Sequence, residues 1–169
     1  RRFEPATTLL EVGCGLGFSL DFFARALSMS SYVGMDISQV AIERAQKNFG
    51  AYRFVVGDIQ SPNLDKRDKF EIIIFNQILW YILGRFDTAI INAYDMLEDD
   101  GKLLISNAFF KNNQRYGAEV INGFAGCKNY FEIHHKPLFK LIDSKFDAGS
   151  QRKFDDGLLV LQKQPSRSI

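Results

Sequence analysis

The amino-acid sequence predicts an open α/β sheet, mostly parallel, with helices on both faces. Short apolar runs alternate with stretches of helical periodicity, the pattern of β-α-β units. Glycine and aspartate gather where those runs end, at EVGCGLG (11–17), GMD (34–36) and VGD (56–58). The last two strand-like runs have no full helix between them and read as an antiparallel hairpin.

Thr7–Val12 is the first strand, an apolar run with an acid, Glu11, near its end. Leu20, Phe23, Ala24 and Leu27 recur at i, i+3, i+4 and i+7, one face of a helix. Tyr32–Met35 is a second strand ending at Asp36. Ser38 can cap the next helix, whose inner face carries Ile42, Ala45 and Phe49. Tyr52–Val56 is a third strand, ending at Gly57-Asp58. Ser61–Lys69 is polar and holds a proline, so it is a loop or a broken helix. Phe70–Phe75 (FEIIIF) reads as the most buried strand. Phe86, Ile90, Ala93 and Leu97 mark another amphipathic helix. Asp99-Asp100-Gly101 is a turn, and Lys102–Ser106 (KLLIS) a fifth strand. Asn107–Tyr130 is polar and irregular, a loop or short helix over the site. Pro137–Phe146 and Leu158–Lys163 are the hairpin strands. A single domain over residues 1–164 precedes a frayed tail, 165–169. The chain begins at Arg1, almost directly on its first strand, so a preceding segment is expected.

With 169 residues the chain can bury one substantial core. Its 46% hydrophobic and 24% charged residues are ordinary for a globular protein, and sixteen phenylalanines make that core aromatic. A net charge of +1 argues against a general electrostatic grip on nucleic acid or anionic lipid. No apolar run approaches the roughly 20 residues of a membrane span. The opening RRFEPATT lacks the apolar core of a signal peptide. Cys14 and Cys127 make neither a disulfide framework nor a metal site, which suits a reducing cytoplasmic compartment.

In an open α/β sheet, ligands bind beyond the carboxyl ends of the strands. Here those ends are Glu11 to Gly17, Asp36, Asp58 and Asn76. Glycines let a ligand touch the backbone and let a turn take positive φ. The N-terminus of the following helix favours an anionic group. A dinucleotide needs G-x-G-x-x-G. Gly13, Gly15 and Gly17 give G-x-G-x-G, with Phe18 where the third glycine belongs, and Glu11 repels a pyrophosphate. A cationic nucleoside bearing an amino acid, S-adenosylmethionine, suits these acids better. Asp36 can accept from both ribose hydroxyls. Asp58 can accept from the adenine amino group while the Ile59 backbone N–H donates to the ring. Cys14 has no base beside it in the pattern and reads as a small loop residue.

The segments E-V-G-C-G-L-G, G-M-D-I-S, V-G-D-I, F-E-I-I-I-F-N-Q-I-L-W-Y-I and L-E-D-D-G-K-L-L-I-S follow one another over about residues 7–108. They resemble the ordered motifs of class I S-adenosylmethionine-dependent methyltransferases. The resemblance implies a Rossmann-like, doubly wound, seven-stranded sheet in the order 3-2-1-4-5-7-6, with strand 7 antiparallel. It implies S-adenosyl-L-methionine as cofactor, its methionine end held by Glu11 and the loop backbone of Gly13, Cys14, Gly15 and Gly17. By the same resemblance Asp36 binds the ribose, with Ile37 beside it in the cofactor set. Asp58 and Ile59 bind adenine, and Asn76 lies beside the reacting methyl.

Nucleic-acid amino-methyltransferases of this kind carry N-P-P-Y or D-P-P-Y after the fourth strand, which stacks an extruded base. Gln77 and Ile78 replace both prolines, so no nucleic-acid partner is expected. N-Q-I-L-W-Y-I is more similar to small-molecule members, among them the nodulation N-methyltransferases and sugar methyltransferases. Trp80 and Tyr81 then stand at the mouth of an acceptor pocket, where aromatic faces suit sugar C–H surfaces. Their other reading is helix-to-sheet packing. Methyl transfer is an in-line displacement that the enzyme can promote by positioning, but a hydroxyl acceptor needs a base. His134 and His135 are the only histidines. On a strand they point to opposite faces, so at most one is a catalytic base and the other reading is a structural pair. The expected activity is methyl transfer to O or N of a small polar acceptor, such as a sugar, without nucleic acid, membrane or metal. The rival readings are a nicotinamide-dependent oxidoreductase and a non-catalytic, methyltransferase-like binding subunit.

Overall fold

Strand β1 (Thr8–Val12) buries four of its five residues, because β-strands flank it on both edges and helices cover both faces. The computed structural model describes residues 7–62, 64–65, 68–110, 114, 116–148 and 154–165. On one side of β1 lie β2 (Ser31–Asp36) and then β3 (Arg53–Val56). On the other lie β4 (Phe70–Asn76) and β5 (Leu97–Phe110). These five strands are parallel. The hairpin of β6 (Phe139–Asp147) and β7 (Phe154–Lys163) completes the sheet, with β7 antiparallel to both β5 and β6. The order is β3-β2-β1-β4-β5-β7-β6, as the resemblance implies.

Helices α1 (Phe18–Ala26) and α2 (Gln39–Asn48) cover one face. The Ser38 hydroxyl accepts from the Ala41 N–H at 3.2 Å, so Ser38 caps α2 as its position suggests. Leu9, Cys14, Leu20, Ile42, Ala45, Phe54 and Ile74 form the core beneath these helices. A short α3 (Leu79–Ile82), α4 (Phe86–Met96) and α5 (Gly123–Tyr130) cover the other face over a larger core. Adjacent residues such as Leu9 and Leu10, or Ile73 and Ile74, serve opposite cores, as expected of strands buried on both faces. The two cysteines divide in the same way, Cys14 to the smaller core and Cys127 to the larger.

Three elements depart from the sequence expectation. The Asp99-Asp100-Gly101 turn is a bend inside β5: Asp100 takes φ +61°, and the pairing register with β4 shifts between Phe70 and Ile72. β5 also runs on through Asn107–Phe110, which pairs with Phe154–Gly157. The third is a helical turn, Phe131–His135, where the two histidines were expected near the start of a strand. Of the polar stretch after β3, residues 63, 66 and 67 lie outside the described residues, as do 166–169 of the expected tail. Among the described residues no helix is long and apolar enough to cross a membrane.

Candidate active site

The parallel strands end side by side, because Val12 is in register with both Met35 and Phe75, Asp36 with Val56, and Asn76 with Ser106. The chain leaving each end turns away, and a cleft of about 450 Å³ opens between those turns. Val12, Gly13, Asp36, Ile37, Asp58, Ile59 and Asn76 line it, together with Gly57, Gln60, Gln77, Ile78, Tyr81 and Ile82. Sequence reasoning singled out the first group except Val12, and also Tyr81.

The three glycines all take positive φ, +75°, +53° and +85° at Gly13, Gly15 and Gly17, but they do so for different neighbours. A Cβ on Gly13 would lie 2.3 Å from Ile78 Cγ2, and one on Gly17 would lie 2.9 Å from the Phe54 ring. Only Gly15 faces open space, with nothing within 4 Å. The turn is fastened at its base. The N–H groups of Gly13 and Cys14 donate to the Met35 carbonyl at 2.7 and 3.0 Å. Cys14 is buried against this turn, and burial together with Glu11 and Asp36 pushes its thiol up to about 12. It is therefore not a nucleophile at neutral pH.

The acids are the electrostatic character of the site. Asp36 organises the turn: its Oδ2 accepts from the Gly15 N–H and its Oδ1 from the Ser38 N–H, both at 2.9 Å. Asp58 Oδ1 accepts from the Gln60 N–H at 2.8 Å. Both carboxylates are half-buried and retain lone pairs for a ligand. Glu11 is 0% exposed. Its Oε1 meets Asn76 Nδ2 at 3.5 Å, and its Oε2 has no partner. Burial raises its carboxyl above the ordinary value, against the opposing influence of the neighbouring Ser19 and Asn76. A buried carboxylate oxygen without a partner is costly. A cationic ligand group brought alongside would offset that cost, so the donor set fits a positively charged nucleoside and disfavours a pyrophosphate.

The aromatic pair after β4 separates. Tyr81 is 84% exposed and stands at the cleft mouth. Trp80 turns away: its Nε1–H donates to the Ala108 carbonyl at 3.1 Å and its ring meets Phe109 edge-on. Packing thus claims Trp80, which does not line the cleft. Gln77, which the sequence reading used only to argue against base methylation, takes φ +60° and lines the cleft.

Neither histidine lines the cleft. His134 is exposed and leans on the Tyr130 ring at 4.6 Å. His135 is 4% exposed and donates from Nε2 to Asp87 Oδ1 at 2.9 Å, an oxygen that also accepts from the Tyr130 hydroxyl at 2.7 Å. The helical turn, rather than a strand, explains why the pair does not alternate between sheet faces. Asp87 lies in the first turn of α4, so this cluster ties α4 to the end of α5, and the expected base role gains no support from it. Burial lowers the His135 imidazole below its ordinary 6.5, with Asp87 pulling the other way. The unfolded chain therefore binds more protons than the folded one just below pH 6.5. Stability is fully present above that pH and declines as the pH falls toward the folded-state value. Denaturant melts across this range should show the decline in the wild type and its loss in His135→Asn. That variant should also be about 0.5–1.5 kcal/mol less stable at neutral pH, where Asp87 loses the hydrogen bond from His135. A wild-type curve that is flat below pH 6.5 would refute this reading.

Comparison with known proteins places this arrangement. The family model for the methyltransferase domain matches residues 3–153. A putative methyltransferase, 235L, of Invertebrate iridescent virus 6 is 25% identical over 143 residues, 83% of this chain and 52% of that protein. A fatty-acid O-methyltransferase of Mycolicibacterium smegmatis is 30% identical over 102 residues, 59% of this chain and 36% of that protein. The chain thus spans about half or less of the length of these relatives. In structure it resembles the N-methyltransferase NodS of Bradyrhizobium japonicum WM9, solved with S-adenosyl-L-homocysteine. The TM-score is 0.70 at 20% identity, over 94% of this chain and 79% of that one. Strand order, an acid-lined cleft beside a glycine turn and the match over residues 3–153 agree, and the chain belongs to the methyltransferase domain family.

Proposed function

We propose that this chain binds S-adenosyl-L-methionine in the cleft and transfers its methyl group to O or N of a small polar acceptor, such as a sugar. The observation that carries the reading is the buried, unpartnered Oε2 of Glu11 beneath a glycine turn, with Asp36 and Asp58 at the next two strand ends. Asn76 and the turn backbone hold the methionine end, with the Glu11 carboxylate buried behind Asn76. Asp36 takes the ribose hydroxyls, and Asp58 with Ile59 takes the adenine edge. When bound, the sulfonium supplies a methyl group already joined to its leaving group. The chain's contribution is then to fix direction and distance, which alone can supply much of the rate. Tyr81 offers its ring to the acceptor at the mouth. The family match and the relatives' names support this chemistry.

Calorimetry of the chain with S-adenosyl-L-methionine, S-adenosyl-L-homocysteine and NAD tests the reading. Binding of the first two and not the third is expected. Tight NAD binding without either nucleoside would replace it with the oxidoreductase reading.

A further inference from the structure

The β4 end of the cleft differs chemically from the rest. Asp36 and Asp58 belong to the β2 and β3 ends, while Asn76, Gln77 and Ile78 at the β4 end are neutral. Among the described residues, no carboxylate or imidazole lines that end, since Glu11 is fully buried behind Asn76.

Gln77 holds φ +60° without being glycine, a strained conformation that persists only where its surroundings enforce it. Two bonds to β5 enforce it. The Gln77 N–H donates to the Ser106 carbonyl at 2.8 Å, and the side-chain Oε1 accepts from the Ala108 N–H at 2.9 Å. A backbone N–H can only donate, so the amide oxygen must face β5 and the NH2 must face away from it. No group among the described residues accepts from that NH2, and Gln77 is exposed where it lines the cleft. The result is a pair of N–H donors, fixed in direction by a strained backbone, at a cleft end where none of the described lining residues is a base.

We propose that Gln77 binds the acceptor, that its NH2 donates to a carboxylate, and that this carboxylate is the group methylated. The inference rests on the methyl-donor reading above and narrows its acceptor. A carboxylate oxygen attacks with a lone pair it already has. The new C–O bond forms as the methyl–sulfur bond breaks, and the bonding pair passes to sulfur. The products are a methyl ester and a neutral thioether. No proton moves, so no base is needed, and two N–H donors suit the carboxylate better than they suit an amine.

The test follows S-adenosyl-L-homocysteine release by the full chain from pH 6 to 9. The acceptors are glucuronate, benzoate and octanoate against glucose, glucosamine and octanol. At least one carboxylate should turn over, at a rate flat across that range. Gln77→Glu keeps an oxygen for the Ala108 N–H but sets a negative charge where the donors stood. It should raise KM for that carboxylate by about 30-fold or more, since like charges placed together cost several kcal/mol. The thermal midpoint should stay at the wild-type value, and S-adenosyl-L-homocysteine should still bind. If Gln77→Glu folds poorly, Gln77→Gly relaxes the backbone, removes the donors and should raise KM in the same direction. In a nitrogen–proton spectrum, the side-chain amide pair missing from Gln77→Gly should shift when the carboxylate is added to the wild type. Turnover of none of the carboxylates, or an unchanged KM in both variants, overturns the assignment while leaving the cofactor reading intact. A wild-type chain that does not bind S-adenosyl-L-homocysteine overturns both.

Discussion

Asp36→Ala should weaken S-adenosyl-L-methionine binding at least tenfold, about 1.4 kcal/mol. Two effects add. The variant loses the carboxylate proposed to accept from the ribose hydroxyls. It also leaves the N–H groups of Gly15 and Ser38 without the oxygens they now meet at 2.9 Å. Gly15 is the one glycine of the turn whose missing side chain leaves open space, so loosening it disturbs the backbone that a ligand can approach most closely. Asp36→Asn separates the effects. Its amide oxygen can still accept from one of the two N–H groups, so it should lie between Ala and wild type in calorimetry. Unchanged affinity in Asp36→Ala would count heavily against the ribose placement.

A large stability effect is expected at Gly13. An alanine there must adopt φ +75° and place its Cβ 2.3 Å from Ile78 Cγ2. The left-handed conformation costs roughly 1–2 kcal/mol, and forcing a methyl group into a packed neighbour costs a further 1–3 or so. Gly13→Ala should therefore lose about 2–5 kcal/mol, a fall in Tm of roughly 5–20 °C for a chain of this size. Gly15→Ala is the control. It carries the conformational penalty alone, because nothing lies within 4 Å of its added Cβ. Equal midpoints for the two variants would show that Ile78 yields freely and that the turn is not braced against the segment after β4.

Both features bear on how far the sequence reveals this molecule. The elements from Thr8 to Asn76 were legible because apolar runs, helical spacing and strand-end acids recur in step; their order in the sheet was implied by the resemblance. The continuation of β5 was hidden by Asn107. A buried position held by a polar residue breaks the alternation that marks a strand, and only the fold reveals that its Oδ1 accepts from the Leu79 N–H at 3.3 Å and its Nδ2 donates to Ala108. The acids of the cleft were legible from their place after Gly or at a strand end. The division between Trp80 and Tyr81 was not, since it depends on a carbonyl, that of Ala108, contributed by a strand 28 residues further on. Gln77 escaped notice for a related reason: its importance lies in a dihedral angle and in a bond to β5, and neither leaves a mark in residue type. The histidines left two readings open, base or structural pair, because residue type alone carries no placement, and the fold sets both away from the cleft lining.

The division of the cysteines between the two cores also gives the molecule a pair of internal reporters. Burial holds both thiols near 12, so an alkylating reagent reacts with neither until its own side of the sheet breathes. Modification of Cys14 then times exposure under α1 and α2, and modification of Cys127 times exposure under α5. Equal rates mean that the two layers come apart as one cooperative unit, whereas a faster Cys14 means that the α1 and α2 layer loosens by itself.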